Sequence, residues 1–194
     1  MQKHTLRLAS ILAFSASLIC GILSKTQSPA KAANEKPKAK VAILTVTSKA
    51  ITDGKPVPKD YTGDGKDLSP DLTWTKPPAT AKSIAVTCED PDAPGGTWFH
   101  WILFDLPTTT SGLKQNLAKK DVLPGGGVQG KNDFGKIGYN GPFPPKGEEH
   151  HYHFKVFALD TTLGLQPGAN KKQFYEALSG HVVGRGKLTG TYKH

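Results

Sequence analysis

Cysteine is nearly absent from this chain: two residues in 194, Cys20 and Cys88. Cys20 lies in an uncharged stretch, residues 8–23, between a basic start (Lys3, His4, Arg7) and a polar, small-residue segment, 24–32. Positive, apolar, then small residues is the order of a secretory signal. Cleavage is therefore expected after Ala32, with export to the periplasm or beyond. The apolar run is short for a spanning helix. Lipidation of Cys20 is not expected, because Ile19 stands where a small residue should precede a lipidated cysteine. With Cys20 removed, Cys88 has no partner, so an internal disulfide is excluded even where the compartment would permit one.

Other absences exclude function classes. There is no internal repeat and no G-x-S-x-G elbow for an acyl-transfer serine. Cys88 is followed by Glu89, Asp90 and Asp92, whose negative charge disfavours a thiolate nucleophile. The formal charge of +9 falls to about +5 once the four basic residues of 1–32 are set aside. The remaining lysines are scattered, without the basic cluster and interleaved aromatics of a nucleic-acid binder. They describe a soluble basic surface, with membrane contact peripheral at most.

What is abundant is glycine and proline, 21 and 15 residues, and they cut the chain after residue 40 into short apolar runs. That pattern predicts β structure. Residues 33–40 read as a flexible leader and 41–194 as one folded domain. Strands are expected over 41–47, 83–88, 98–106, 150–159 and 184–192. A helix is expected after the cap Asn170, with Phe174, Ala177 and Leu178 on one face. On 98–106, strict alternation puts Trp98, His100, Ile102, Phe104 and Leu106 on one side and Phe99, Trp101, Leu103 and Asp105 on the other. Both sides are mostly apolar, which predicts a central strand covered on both faces and two layers around a core. Trp74 and Trp101 read as core. The stretch 112–147 is long and aperiodic, and a loop of that length in a compact domain usually has a function.

Polar and titratable residues gather at three places beside these strands: Asp90-Pro91-Asp92-Ala93-Pro94, Trp98-Phe99-His100-Trp101, and Gly141-Pro142-Phe143-Pro144-Pro145-Lys146-Gly147 running into His150-His151-Tyr152-His153. Strand parity puts His150 and Tyr152 on one face and His151, His153 and Lys155 on the other. An H-x-H pair can hold zinc, but His150 faces away from the other two and no third ligand is evident, so no metal is expected. If strand 150–159 lies near strand 98–106, one concavity gathers Asp90, Asp92, Trp98, His100, His150 and Tyr152.

The stretches DPDAPGGTWFHWILFDLP and GYNGPFPPKGEEHHYHFKVFALD resemble the two signature regions of the phosphatidylethanolamine-binding proteins, in particular the bacterial and archaeal branch called Raf kinase inhibitor-like. Leu68 to Trp74, Asn132-Asp133-Phe134-Gly135 and Ser179-Gly180-His181-Val182 match as well, and the likeness runs from about Val46 to Tyr192. It implies a mainly β fold of two antiparallel sheets packed together, with a few peripheral helices. It also implies a pocket for phosphate-like anions, including phospholipid head groups. By motif position that pocket uses Asp90, Pro94, Trp98, His100, Pro144, Pro145, His150 and Tyr152, with Asp92 as a wall or hydrogen-bonding residue. Two positions depart from many relatives: His151 replaces Arg, making a rim cation pH-dependent, and Phe143 replaces Cys.

The expectation is thus a non-enzymatic binding protein, with no catalytic residue and no cofactor, whose partner is a small phosphorylated ligand or a phospholipid head group. The alternative is an inhibitor of a secreted or envelope enzyme that presents the pocket rim to a protein partner. Imidazolium donors would strengthen anion binding at mildly acid pH, so affinity should weaken from about pH 5.5 to 7.5.

Overall fold

A computed structural model describes residues 40–194. The signal segment 1–32, nearly all of the 33–40 leader and Cys20 lie outside the described residues.

The first strand expectation, 41–47, resolves into two short strands. β1 (Ala42–Ile43) lies on the edge of a large sheet, and β2 (Val46–Thr47) belongs to a small one. β3 (Lys55–Pro56) follows, then a one-turn 3₁₀ helix at Lys59–Tyr61, then β4 (Leu72–Trp74), which no periodicity announces. β5 (Ser83–Asp90) and β6 (Trp98–Leu106) form the central hairpin. The long stretch 112–147 holds only β7 (Gly112–Leu113) and β8 (Val128–Gln129). β9 (Glu149–Leu159), helix α1 (Lys171–Leu178) and β10 (Val182–Lys193) complete the chain.

The seven-stranded sheet runs β1-β10-β9-β5-β6-β8, with β3 also pairing to β10; the three-stranded sheet runs β2-β4-β7. All pairings are antiparallel except those of the two-residue strands β1 and β3 with β10. The small sheet covers one face of the large one. Val46, Leu72, Trp74 and Leu113 share a core there with Val86, Trp101, Leu103, Tyr152, Phe154, Val156 and Leu188. Helix α1 covers part of the opposite face, where Phe174 and Leu178 pack with Ala85, Ile102, Phe104, Phe157 and Leu159. Each such large side chain contributes on the order of 2 kcal/mol by leaving water. The helix starts where Asn170 accepts a bond from the Gln173 amide while the Gln173 side chain accepts one from the Asn170 amide, a reciprocal capping box.

β6 departs from strict alternation, and this corrects the face assignment drawn from its sequence. Its pairing with β5 slips twice, between Ile84 and Val86 and between Cys88 and Glu89. At the second slip Cys88 faces Trp101 and Glu89 faces Phe99, so His100 is an extra residue, a β-bulge. Parity therefore flips: Trp101, Leu103 and Leu106 lie in the core under the small sheet, while Phe99, Ile102 and Phe104 lie in the core under the helix. His100 is turned back to the same face as Trp101, where its ring meets Tyr152. Without the bulge, His100 and Trp101 would face opposite sides of the sheet.

Candidate functional site

β6 and β9 are not hydrogen-bonded neighbours; β5 runs between them. Their side chains meet above it. The His100 and Tyr152 rings pack edge-to-face with centroids 5.1 Å apart. At the end of β5, Asp90 receives a 2.8 Å hydrogen bond on Oδ2 from His150 Nδ1, and Oδ1 accepts the Asp92 amide at 2.9 Å. The second bond is an Asx-type turn, which starts the reversal toward β6. Four expected residues thus converge: Asp90, His100, His150 and Tyr152, all buried. Trp98, opposite Asp90 in the hairpin, joins them through Phe134, which packs edge-on against both Trp98 (5.5 Å) and His100 (5.2 Å).

The other expected residues sit further out. The Asp92 carboxylate is exposed and accepts both the backbone amide and Nδ1 of His151, each at 2.8 Å. Burial would raise its pKa, but these bonds from His151 outweigh burial and hold it below the usual carboxylate range. Asp92 therefore braces His151 at the rim. Pro94 and Pro145 are exposed in their loops, while Pro144 is buried.

The protonation pattern follows from the hydrogen bonds. His100 Nδ1 lies 2.8 Å from the carbonyl of Asn140 and 3.0 Å from that of Gly141. Carbonyls only accept, so Nδ1 carries the proton. In the neutral ring Nε2 is then a lone pair, and it has no partner among the described residues. Burial pushes the His100 pKa down, an effect its bonds to Asn140 and Gly141 offset only in part. His150 differs. Burial acts downward there too, but bonds to Asp90 and to Glu148 (3.3 Å) prevail and its pKa is raised. Burial, then the charge of Asp90, pushes the Tyr152 phenol far up, so it stays a neutral donor. Its hydroxyl, close to Asp90, makes no hydrogen bond of acceptable geometry, and neither does the Trp98 indole N–H. Two buried polar groups without partners in one neighbourhood call for an explanation.

A polar frame that the sequence reading missed holds the carbonyls on His100. Asp67 accepts the Gly141 amide (2.6 Å), the Asn140 side chain (3.0 Å) and the Lys119 ammonium (2.5 Å). Asp67 has φ 56°, a left-handed conformation uncommon outside glycine. Gly141 must be glycine, since a Cβ there would stand 2.4 Å from the Tyr61 carbonyl. Asn132 accepts the amides of Phe134 and Lys136 and donates to Gly138 and Asn140. The Asn132-Asp133-Phe134-Gly135 run was singled out only as part of the motif resemblance. Asp67 carried no local signal, because its role exists only through contacts some seventy residues away.

Cys88 lies under the site, fully buried. Burial first, and then the charges of Glu89 and Asp90, push its thiol well above the ordinary range. Among the described residues, no three His, Cys, Asp or Glu side chains are placed to hold a metal ion.

Fold and site together define a two-sheet β protein with a histidine–carboxylate–tyrosine cluster at the mouth of its central hairpin. The family model for phosphatidylethanolamine-binding proteins matches residues 47–193, and the chain belongs to that family. It is 46% identical over 150 residues to the UPF0098 protein of Methanothermobacter thermautotrophicus, covering 77% of this chain and 99% of that protein. It is 43% identical over 154 residues to the UPF0098 protein of Aquifex aeolicus, covering 78% and 90%. Among solved structures, E. coli YbcL, described as a member of the mammalian family, superposes with a TM-score of 0.74 at 36% identity, over 78% of this chain and 98% of that one. A phosphatidylethanolamine-binding protein homolog from Chlamydia trachomatis does so with 0.70 at 37% identity, over the same shares.

Proposed function

We propose that this protein is a non-enzymatic binding protein whose hairpin-mouth cluster takes a small phosphate-like anion or a phospholipid head group. One observation carries the reading: among the described residues His100 Nε2 has no partner, and two buried groups of the same cluster, Trp98 Nε1 and the Tyr152 hydroxyl, make no hydrogen bond. A buried donor left unpaired costs about 1–3 kcal/mol, so a site that keeps two of them is suited to a ligand that satisfies them.

The tautomer narrows the ligand. A neutral His100 accepts at Nε2, and the Asp90 carboxylate nearby adds negative charge. A fully deprotonated anion meets repulsion there. A phosphate that keeps a proton, or an ethanolamine ammonium next to a phosphodiester, brings its own donor to these acceptors. His150, with its raised pKa, supplies the positive charge. Affinity is then expected to fall as pH rises above about 6.5 and His150 loses its proton. The buried Cys88, its thiol pushed well above the ordinary range, and the capture of His100 Nδ1 by carbonyls support binding without turnover. We place the protein outside the cytoplasm on the strength of residues 1–32.

A second reading rests on the rim. Phe134 and Phe143 are 39% and 51% exposed beside the cluster. Exposed aromatic rings of this kind suit a protein partner, as in an inhibitor of a secreted or envelope enzyme. Calorimetric titration with inorganic phosphate and with O-phosphoethanolamine tests the first reading. Binding to the wild type that falls at least tenfold in His100→Ala is expected. Heat changes absent from both proteins would reject it, and capture of an envelope enzyme in their place would favour the second reading.

A further inference from the structure

The far face of the large sheet carries a different feature. Helix α1 packs there over β5, β6 and the Phe157–Leu159 end of β9, and beside it a groove of about 580 Å³ opens between Tyr175 of the helix and Ile43 of the edge strand. That is a volume suited to a small organic molecule. Pairing register builds its floor in rows. Ile43, Arg185 and Phe157 stand side by side across β1, β10 and β9, and in the next row Lys187 stands directly opposite Lys155. Like charges directly opposite on neighbouring strands destabilise a sheet. Among the described residues one carboxylate answers them: the buried Glu89 bonds Lys155 at 2.5 Å and also accepts Thr87 and Tyr175. Arg185 and Lys187 are exposed and have no acidic partner among the described residues. The neighbouring His153 reports the resulting field, since burial and then Lys187 and Lys155 lower its pKa. The walls are apolar: Ile43 is 79% exposed, and Phe157 and Tyr175 complete the lining.

We propose that this groove is a second binding site, for small amphipathic anions with an aromatic or alkyl body and one carboxylate, sulfonate or phosphate. The charged group sits between Lys187 and Arg185, relieving the repulsion within the Lys155–Lys187 pair, and the body lies against Ile43, Phe157 and Tyr175. The site is separate from the histidine cluster, because alternate residues of β9 point to opposite faces.

The test uses the aromatic sulfonate 1-anilinonaphthalene-8-sulfonate, whose fluorescence rises on transfer to an apolar site, titrated into the full protein. Wild type should bind it, Lys187→Glu and Arg185→Glu should each weaken it at least tenfold, and His100→Ala should leave it unchanged. Lys187→Glu should melt no lower than wild type, since it turns a like-charge pair into an opposite one; Lys187→Gln serves if the charge reversal disturbs folding. A wild type that leaves the dye dark would overturn the proposal. So would a Lys187 variant that binds within twofold of wild type, or dye binding lost in His100→Ala.

Discussion

The two faces of the central sheet handle polarity in opposite ways, and one strand serves both. Even-numbered residues of β9, His150 and Tyr152, point under the loops. There Asp90, Asn140 and Gly141 fix the proton positions on the two imidazoles. Odd-numbered residues, His153 and Lys155, point to a face where cations gather beside the Glu89 carboxylate. The first face has a fixed hydrogen-bonding frame; the second has a groove and charge without one. Under the two proposals, the first suits a small ligand and the second a larger anionic body.

The strongest way to break this contrast is to dismantle the frame on the first face alone. Asn132→Ala leaves the Phe134 and Lys136 amides without their acceptor and Gly138 without its donor. It should lower stability by about 3 kcal/mol, read from urea unfolding, and abolish phosphate binding. A variant as stable as wild type would show that the frame is dispensable. Asp67→Ala should cost about 2 kcal/mol by stripping the Gly141 amide of its charged partner. Asp67→Gly should cost less than Asp67→Ala, because glycine tolerates the positive φ; equal losses would mean that backbone strain plays no part.

Acidity sharpens the comparison within the first face. The pKa of His150 is raised, so its contribution to stability is complete below the unfolded value near 6.5 and is lost as pH rises through its native pKa. The pKa of His100 is lowered, so its contribution is present above about 6.5 and is lost as pH falls toward its native pKa. The stability deficit of His150→Gln should therefore be larger at pH 5 than at pH 8, and that of His100→Gln larger at pH 8 than at pH 5, in urea midpoints. Deficits that move together would contradict the assignment. The smallest expected effect lies on the second face: Lys187→Glu should gain a few tenths of a kcal/mol, screened away in high salt.

How far this was legible in the sequence depends on the range of the forces involved. β9 was readable because alternation of His150, Tyr152, Phe154 and Val156 with polar residues is a local pattern that nothing interrupts. Helix α1 was readable from its Asn170 cap. β6 was readable as a strand but not in its faces, since both sides are apolar and the bulge at His100 leaves no mark in an apolar run. The two-residue strands β3, β7 and β8 exist only through pairing with distant segments. The convergence of His100 with His150 had to be assumed from sequence; strand parity supplied Asp90, Asp92, Trp98 and Tyr152 beside them, and the motif resemblance added Pro94, Pro144 and Pro145. Asp67 and the cationic rows of the far face were invisible, because both arise from register between segments remote in the chain.

The central claim is that His100 is held with its proton on Nδ1 and offers the Nε2 lone pair to a proton carried by the ligand. Long-range ¹H–¹⁵N correlation of the imidazole nitrogens, recorded at neutral pH before and after addition of phosphate, addresses it directly. A protonated Nδ1 and a bare Nε2 in the free protein, with Nε2 moving in a saturable way as phosphate is added, is the expected result. A His100 protonated on Nε2, or nitrogen signals that ignore phosphate throughout, would contradict the account.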